Sequence, residues 1–299
     1  MAATRLVSVV VPTYRDWPRL AQCLKALTEQ SYPPERLEIL VVNNAPEDTP
    51  PADLPMPANA RMIDEPAKGS YAARNAAVRV AAGEILLFTD SDCAPDPGWC
   101  EGAVRFLEHN PQVARVGGDI LLGAPQRRLG IADVYERAFA FPVARYVSRG
   151  WAPTANMGTW SHVFACVGPF DEDYFSGEDG AWGQRAAALG YAIGYCPDAV
   201  VVHPPRTLGG VVRKRRRITG ARLLREIEAH GRAHMAMRFG PRALRRLLPP
   251  TAQVKALVRL REVPGRLKLG AYFFIWYLRI DTEIIRARIL FFGAEAERR

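Results

Sequence analysis

The sequence predicts an α/β fold, a doubly wound and mostly parallel sheet, followed by a basic helical extension. Three observations predict it. Short apolar, β-branched runs recur through the first ninety residues, each suited to a strand buried on both faces. Stretches of helical periodicity alternate with those runs. Near Pro204 and Pro205 the composition shifts, and arginine-rich helical sequence follows.

The elements follow in order. LVSVVV (6–11) reads as a buried strand that Pro12 ends. Asp16 is placed to cap the next helix, with Pro18 in its first turn and Leu20, Leu24 and Leu27 at helical spacing. LEILVV (37–42) is a second strand, the Pro-rich 46–57 a loop, and ARMIDE (60–65) a third strand. Residues 69–82 are Ala-rich and helical, with Gly83 as a stop, and EILLFT (84–89) is the next strand. A helix is expected over 100–109, a strand over 113–122, helices over 161–167 and 178–189, and a short strand within 191–202. Residues 131–150 fit either class. The basic helices run over 211–238, 241–247, 251–262 and 267–291. The expected domains are therefore 1–205 and 206–299.

Charge divides the same way. The net charge is +9, yet residues 206–299 carry 23 Lys+Arg against 7 Asp+Glu, whereas residues 1–205 carry 17 against 24. An acidic body with a basic tail suggests chemistry in the body and docking to an anionic partner by the tail. The five cysteines form no CxxC pair and no metal-ligand spacing, which suggests reduced thiols and a cytoplasmic protein. LVSVVV is shorter than a signal-peptide core. The apolar aromatic stretch 269–278 (LGAYFFIWYL) is too short to span a bilayer. It suits either a helix packed against protein or a membrane interface.

Four segments can carry chemistry. Asp90-Ser91-Asp92 follows directly on EILLFT. Ligands of parallel sheets sit beyond the carboxyl ends of strands, where two carboxylates can hold a hard divalent cation. The bland reading is a solvated acidic turn. Glu178-Asp179 opens a helix, either as a favourable charge on its dipole or as a general base aimed at a hydroxyl. Arg74 lies in a helix whose start suits phosphate, or it is a solvated surface residue. His203 ends the AVVV run, either as a structural histidine or as a third metal ligand.

Taken together and in order, these segments resemble glycosyltransferase family 2 from about residue 6 to about residue 220. VSVVVPTYRD is similar to the family's opening strand and loop, which places Pro12 and Tyr14 beside the nucleotide base. LVVNNAPED is similar to its second strand, with Asn43 where an aspartate is usual. KGSYAARNAAVRVAAGEILLFTDSDCAPDPGWC is the most specific stretch. TANMGTWSHVFACVGPFDE resembles the segment lining the donor-sugar and acceptor site, including Asn156. GEDGAWGQRAAALGY resembles the catalytic-base helix, and Lys214 to Arg217 resemble a loop closing over the diphosphate.

The resemblance implies a GT-A (Rossmann-like) catalytic domain and an inverting transfer from a UDP- or GDP-sugar to a carbohydrate or lipid-linked acceptor. Asp179 would be the base, and Asp92, Asp90 and His203 the ligands of Mg²⁺ or Mn²⁺. Arg74 and Arg217 would support the leaving group, and Glu178 the acceptor or the base. No Gln-x-x-Arg-Trp motif of processive relatives is found, which points to single addition. Lipid-linked acceptors of the family suggest docking at the inner face of the cytoplasmic membrane. A nucleic-acid binder is disfavoured, because the aromatics do not interleave with the basic residues. A GT-A-like nucleotidyltransferase is disfavoured because VVPTYRDWP has no Gly-rich loop.

Overall fold

The apolar runs of the N-terminal half build one side of an eight-stranded sheet in this computed structural model, which describes residues 4–125 and 127–295. In chain order the elements begin β1 (Val7–Thr13), α1 (Trp17–Thr28), β2 (Leu37–Asn43), β3 (Ala60–Asp64), α2 (Ser70–Val80) and β4 (Ile85–Thr89). There follow β5 (Ala94–Pro95), α3 (Trp99–His109), β6 (Arg115–Leu122), α4 (Ile131–Phe139), α5 (Val143–Val147), β7 (Asn156–Trp160), α6 (Ser161–Val167), α7 (Glu178–Ala188) and β8 (Ile193–His203). The chain ends in α8 (Leu208–His230), α9 (Arg232–Met237), α10 (Phe239–Leu247), α11 (Val254–Arg259) and α12 (Gly265–Phe292). It divides into two compact units: residues 1–123, 142–174 and 178–204, and residues 124–141, 175–177 and 205–299.

The first unit holds the sheet, in the order β3-β2-β1-β4-β7-β6-β8-β5. β1 and β4 are buried at every residue and β2 at all but Glu38, as expected of strands covered on both faces. Strands β3, β2, β1 and β4 run parallel, and so do β6 and β8. β7 departs from the expected pattern: it lies antiparallel between β4 and β6. Its sequence, NMGTW, lacks an apolar run, and its middle residue must be glycine. A Cβ on Gly158 would lie 2.6 Å from a Leu87 methyl and 2.8 Å from a Val116 methyl. The sheet is thus mixed but mostly parallel.

Pairing between β1 and β4 stops at Val10–Phe88, whereas β1 and β2 pair on to Thr13–Asn43. Pro12 therefore sits where β1 has a ladder neighbour on one side only, which tolerates its missing N–H. Two local expectations are corrected. Asp16 occupies the N-cap position of α1 without a capping hydrogen bond, and its carboxylate instead accepts from Arg19 at 3.2 Å. α2 ends at Val80 rather than at Gly83. Gly83 answers a different need, because a Cβ there would lie 2.4 Å from the Ser8 nitrogen.

The second unit is helical. Thr207 caps α8 by accepting from the Gly210 N–H at 3.2 Å. The single helix expected over 211–238 is two, broken at Gly231, whose φ of +82° suits glycine. The ambiguous 131–150 segment resolves into α4 and α5. In α12, Ala271 and Ile275 pack with Val134 of α4 and with Leu257 and Val263. Asp281 and Glu283 interrupt the apolar run, yet both are buried. Arg216 holds Asp281 through two bonds of 2.7 and 3.1 Å, and Arg246 holds Glu283 at 3.0 Å. Among the described residues, no helix is long and apolar enough to cross a membrane. The described cysteines form no disulfide, and four of the five are buried.

Candidate active site

The site forms in the first unit, where the carboxyl end of β4, the start of α2, the start of α7 and the end of β8 converge. Asp90 and Asp92 follow β4, and His203 ends β8. The side chains of Asp92, Cys93 and His203 bring one ligand atom each within 4.8 Å of one another. His203 is buried, and its Nδ1 stands 2.7 Å from the Pro204 carbonyl. A carbonyl only accepts, so Nδ1 carries a proton, and in the neutral ring Nε2 presents its lone pair. That Nε2 lies 3.7 Å from Asp92 Oδ2. A divalent cation between them, about 2 Å from each, fits this lone pair and carboxylate. Cys93 fits less well: burial pushes its thiol up, with the Asp90 and Asp92 charges adding to the rise. A protonated thiol is a poor partner for a hard cation.

The sequence pattern places Asp90 beside Asp92 as a ligand, and Arg74 on a phosphate. The structure pairs them with each other: the Arg74 guanidinium, 3% exposed, donates to Asp90 Oδ1. Arg74 also donates to the Ser70 carbonyl at 3.2 Å and lies over the Tyr71 ring. Among the described residues, its Nε has no hydrogen-bond partner.

Asp179 and Glu178 are neighbours in opposite surroundings. Burial raises the Asp179 carboxyl above the usual carboxylate range, and the Asp90 charge adds to the rise. The Gly180 and Thr154 backbone N–H groups and Arg74 pull it back. Tyr71 Oη donates to Asp179 Oδ1 at 3.5 Å and accepts the Glu178 N–H at 3.0 Å, so this phenol holds the start of α7. Glu178, expected to touch the acceptor or orient Asp179, has one oxygen paired within the fold, and among the described residues its Oε2 has no hydrogen-bond partner. It is fully buried, with Oε1 accepting from Arg185 at 2.7 Å and from the Asp171 N–H at 3.0 Å.

Two amides expected at the substrate are committed to the fold. Asn156 accepts from Trp99 Nε1 at 2.8 Å and donates to the carbonyls of Asp119 and Ala199 at 2.7 and 2.9 Å. It ties β7 to β6 and β8 rather than facing a sugar. Asn43 accepts from the Ala45 N–H and donates to the Asp48 carbonyl, closing its own loop. Tyr14 is 37% exposed at the end of β1, its ring under Arg15, which has φ +51°. Arg217 lies in α8 of the second unit.

Sequence reasoning misses Tyr71, Cys93, Thr154 and Asn44. Asn44 donates to the Glu65 and Ala67 carbonyls and accepts from the Gly69 N–H, setting the loop before α2. Tyr71 carries one signal: it stands three residues before Arg74, on the same helix face.

Comparison with known proteins bears on the family and the fold. The model of the family described as Glycosyl transferase family 2 matches residues 8–128. Glycosyltransferase AglE of Haloferax volcanii is 32% identical over 218 residues, covering 71% of this chain and 71% of that protein. The pre-mycofactocin glycosyltransferase of Mycobacterium tuberculosis is 31% identical over 150 residues, 47% of this chain and 31% of its own length. In fold the chain is similar to the mannosyltransferase PcManGT from Pyrobaculum calidifontis, solved with GDP-Man and Mn²⁺. The TM-score is 0.61 and the identity 22%, over 98% of this chain and 89% of that one. With the GT-A fold in place and AglE matched across most of both chains, this chain is a glycosyltransferase and belongs to glycosyltransferase family 2.

Proposed function

We propose that the chain transfers a sugar, with inversion, from a nucleotide-diphosphate donor to an acceptor hydroxyl, and that Asp179 is the base. One observation carries this reading: Tyr71 holds the Asp179 carboxylate at the start of α2, the helix whose Arg74 holds Asp90 beside the candidate cation ligands, and burial there raises the Asp179 carboxyl. A carboxylate of raised pKa holds a proton better than an ordinary one, as a base needs. Asp179 takes the acceptor hydroxyl proton as that oxygen attacks the anomeric carbon. The bond from that carbon to the diphosphate oxygen breaks, and its electron pair leaves with the diphosphate. Asp92 and His203 would hold Mg²⁺ or Mn²⁺, which when bound supplies positive charge to the diphosphate. Arg74 fixes Asp90 beside that position and adds a buried cation. The Mn²⁺ and GDP-Man of the mannosyltransferase support a cation with a GDP- or UDP-sugar.

For the acceptor we favour a carbohydrate or lipid-linked glycan of cell-surface polysaccharide or glycolipid synthesis. Peripheral docking at the inner face of the cytoplasmic membrane would bring the enzyme to it. The basic excess of residues 206–299 supports docking, as do Phe273 and Tyr277, about half exposed on α12. Sedimentation with anionic liposomes at low salt is expected, and recovery in the supernatant would end that part.

Thermal unfolding with UDP, GDP, CMP and dTDP, each with and without Mn²⁺, tests the donor reading. A nucleoside diphosphate should raise the melting temperature only when Mn²⁺ is present. No shift with any diphosphate would overturn the assignment.

A further inference from the structure

The second unit contains a cavity of about 480 Å³, within the range of small-molecule sites. Helices α4, α8, α10 and α12 enclose it. Arg215, Arg222, Arg246, Arg279 and Arg286 line it against a single carboxylate, Glu283. Glu226 adds a second by bonding Arg222 at 3.0 Å and Arg286 at 3.4 Å, while Glu283 is taken by Arg246. Among the described residues Arg215 bonds the Thr282 hydroxyl, at 3.4 Å, and no carboxylate, and no hydrogen bond or ion pair engages Arg279. Of the five guanidiniums, Arg222, Arg246 and Arg286 thus share two carboxylates, and among the described residues Arg215 and Arg279 have none.

Such crowding is unfavourable without an anion. Arg286 shows it: burial lowers its pKa, and the Arg246 charge lowers it further. The lining also includes apolar side chains, Phe139, Ile275 and Leu278, beside Tyr135. A surface that only needed solubility would spread these arginines into water. Here Arg286 is mostly covered, while Arg215 and Arg222 reach solvent at the mouth of the cavity, so the cations line both its opening and its depth.

We infer that this cavity is a binding site for a phosphate group, a monoester or diphosphate, carried next to an apolar segment. Guanidinium forks match phosphate oxygens, and several cations around a half-enclosed space reinforce one another. The site lies within the second unit and needs none of the groups assigned to sugar transfer.

The test measures binding of two probes to the full chain in EDTA, which removes cation-dependent binding at Asp92 and His203. One probe is inorganic pyrophosphate, followed by calorimetry. The other is phosphatidate in phosphatidylcholine vesicles, followed by sedimentation against pure phosphatidylcholine. Arg215→Gln and Arg279→Gln are the variants, because neither residue pairs with a carboxylate. Each should weaken binding about tenfold, the loss of one charge-assisted hydrogen bond. Sensitivity with pyrophosphate alone identifies a soluble phosphate ligand. Sensitivity with phosphatidate, competed by pyrophosphate, identifies a lipid headgroup. Absence of binding by both probes, or binding that both variants leave unchanged, overturns the proposal.

Discussion

The two units bury charge in different ways. In the helical unit, buried carboxylates are paired with arginines: Asp281 with Arg216, Glu283 through one oxygen with Arg246, and Glu136 with Arg206. In the sheet unit the charges gather at one end, and they are not all neutralised. Asp90 takes Arg74, while Asp179 has a phenol and backbone N–H groups but no guanidinium of its own. A carboxylate closed by an arginine serves the fold. One held by dipoles and burial keeps a raised pKa, and that is what a proton acceptor uses. The contrast recurs within two residues, for Glu178 belongs to the first kind and Asp179 to the second.

The largest effect expected from breaking this contrast is at Asp179. Asp179→Asn should lower transfer about a hundredfold to ten-thousandfold, measured by product formation, and leave diphosphate binding within a few-fold. Stability should move the other way. A raised folded pKa favours the protonated form, so its contribution is fully present below the unfolded pKa and lost as pH rises through the folded one. At neutral pH Asp179→Asn should therefore raise the unfolding midpoint, with the gap narrowing in acid.

Next in size is Asp92→Asn, which removes the charge a cation needs. Cation-dependent nucleotide affinity should fall about a hundredfold in titrations with and without Mn²⁺. Asn156→Ala should act on the fold, because Trp99 Nε1 and two carbonyls lose their partner. The expected loss is about 2–4 kcal/mol in denaturant unfolding. Glu178→Gln should cost about 1–2 kcal/mol, reduced because Arg185 is partly exposed. Its transfer rate, measured well below the melting temperature, should stay within a few-fold of the parent.

Much of the fold is legible in the chain's local patterns. β1, β2 and β4 announce themselves as apolar β-branched runs, and the Asp90–Asp92 pair follows the last of them. α6 has the expected bounds, and α12 extends the expected helix by a residue or two at each end. β7 is not legible. Its burial comes from neighbours on both sides, and its glycine answers Leu87 and Val116, which no local pattern reveals. The fate of polar side chains is equally hidden. Asn156 and Glu178 suggest substrate contacts because they stand in the right segments. Whether an amide or carboxylate faces a ligand or the fold depends on partners 37 or more residues away for Asn156, and on Arg185, one helix face along, for Glu178. Tyr71 escapes notice for the same reason, since its partners lie 107 and 108 residues on.

The most direct test of the division between the two adjacent carboxylates is the pH dependence of transfer at saturating donor and cation, for the parent, Glu178→Gln and Asp179→Asn. The parent should show an ascending limb set by a carboxyl above the usual range of about 4. That limb should persist in Glu178→Gln and vanish in Asp179→Asn. A limb that disappears with Glu178→Gln and survives in Asp179→Asn would reverse the assignment of base and scaffold.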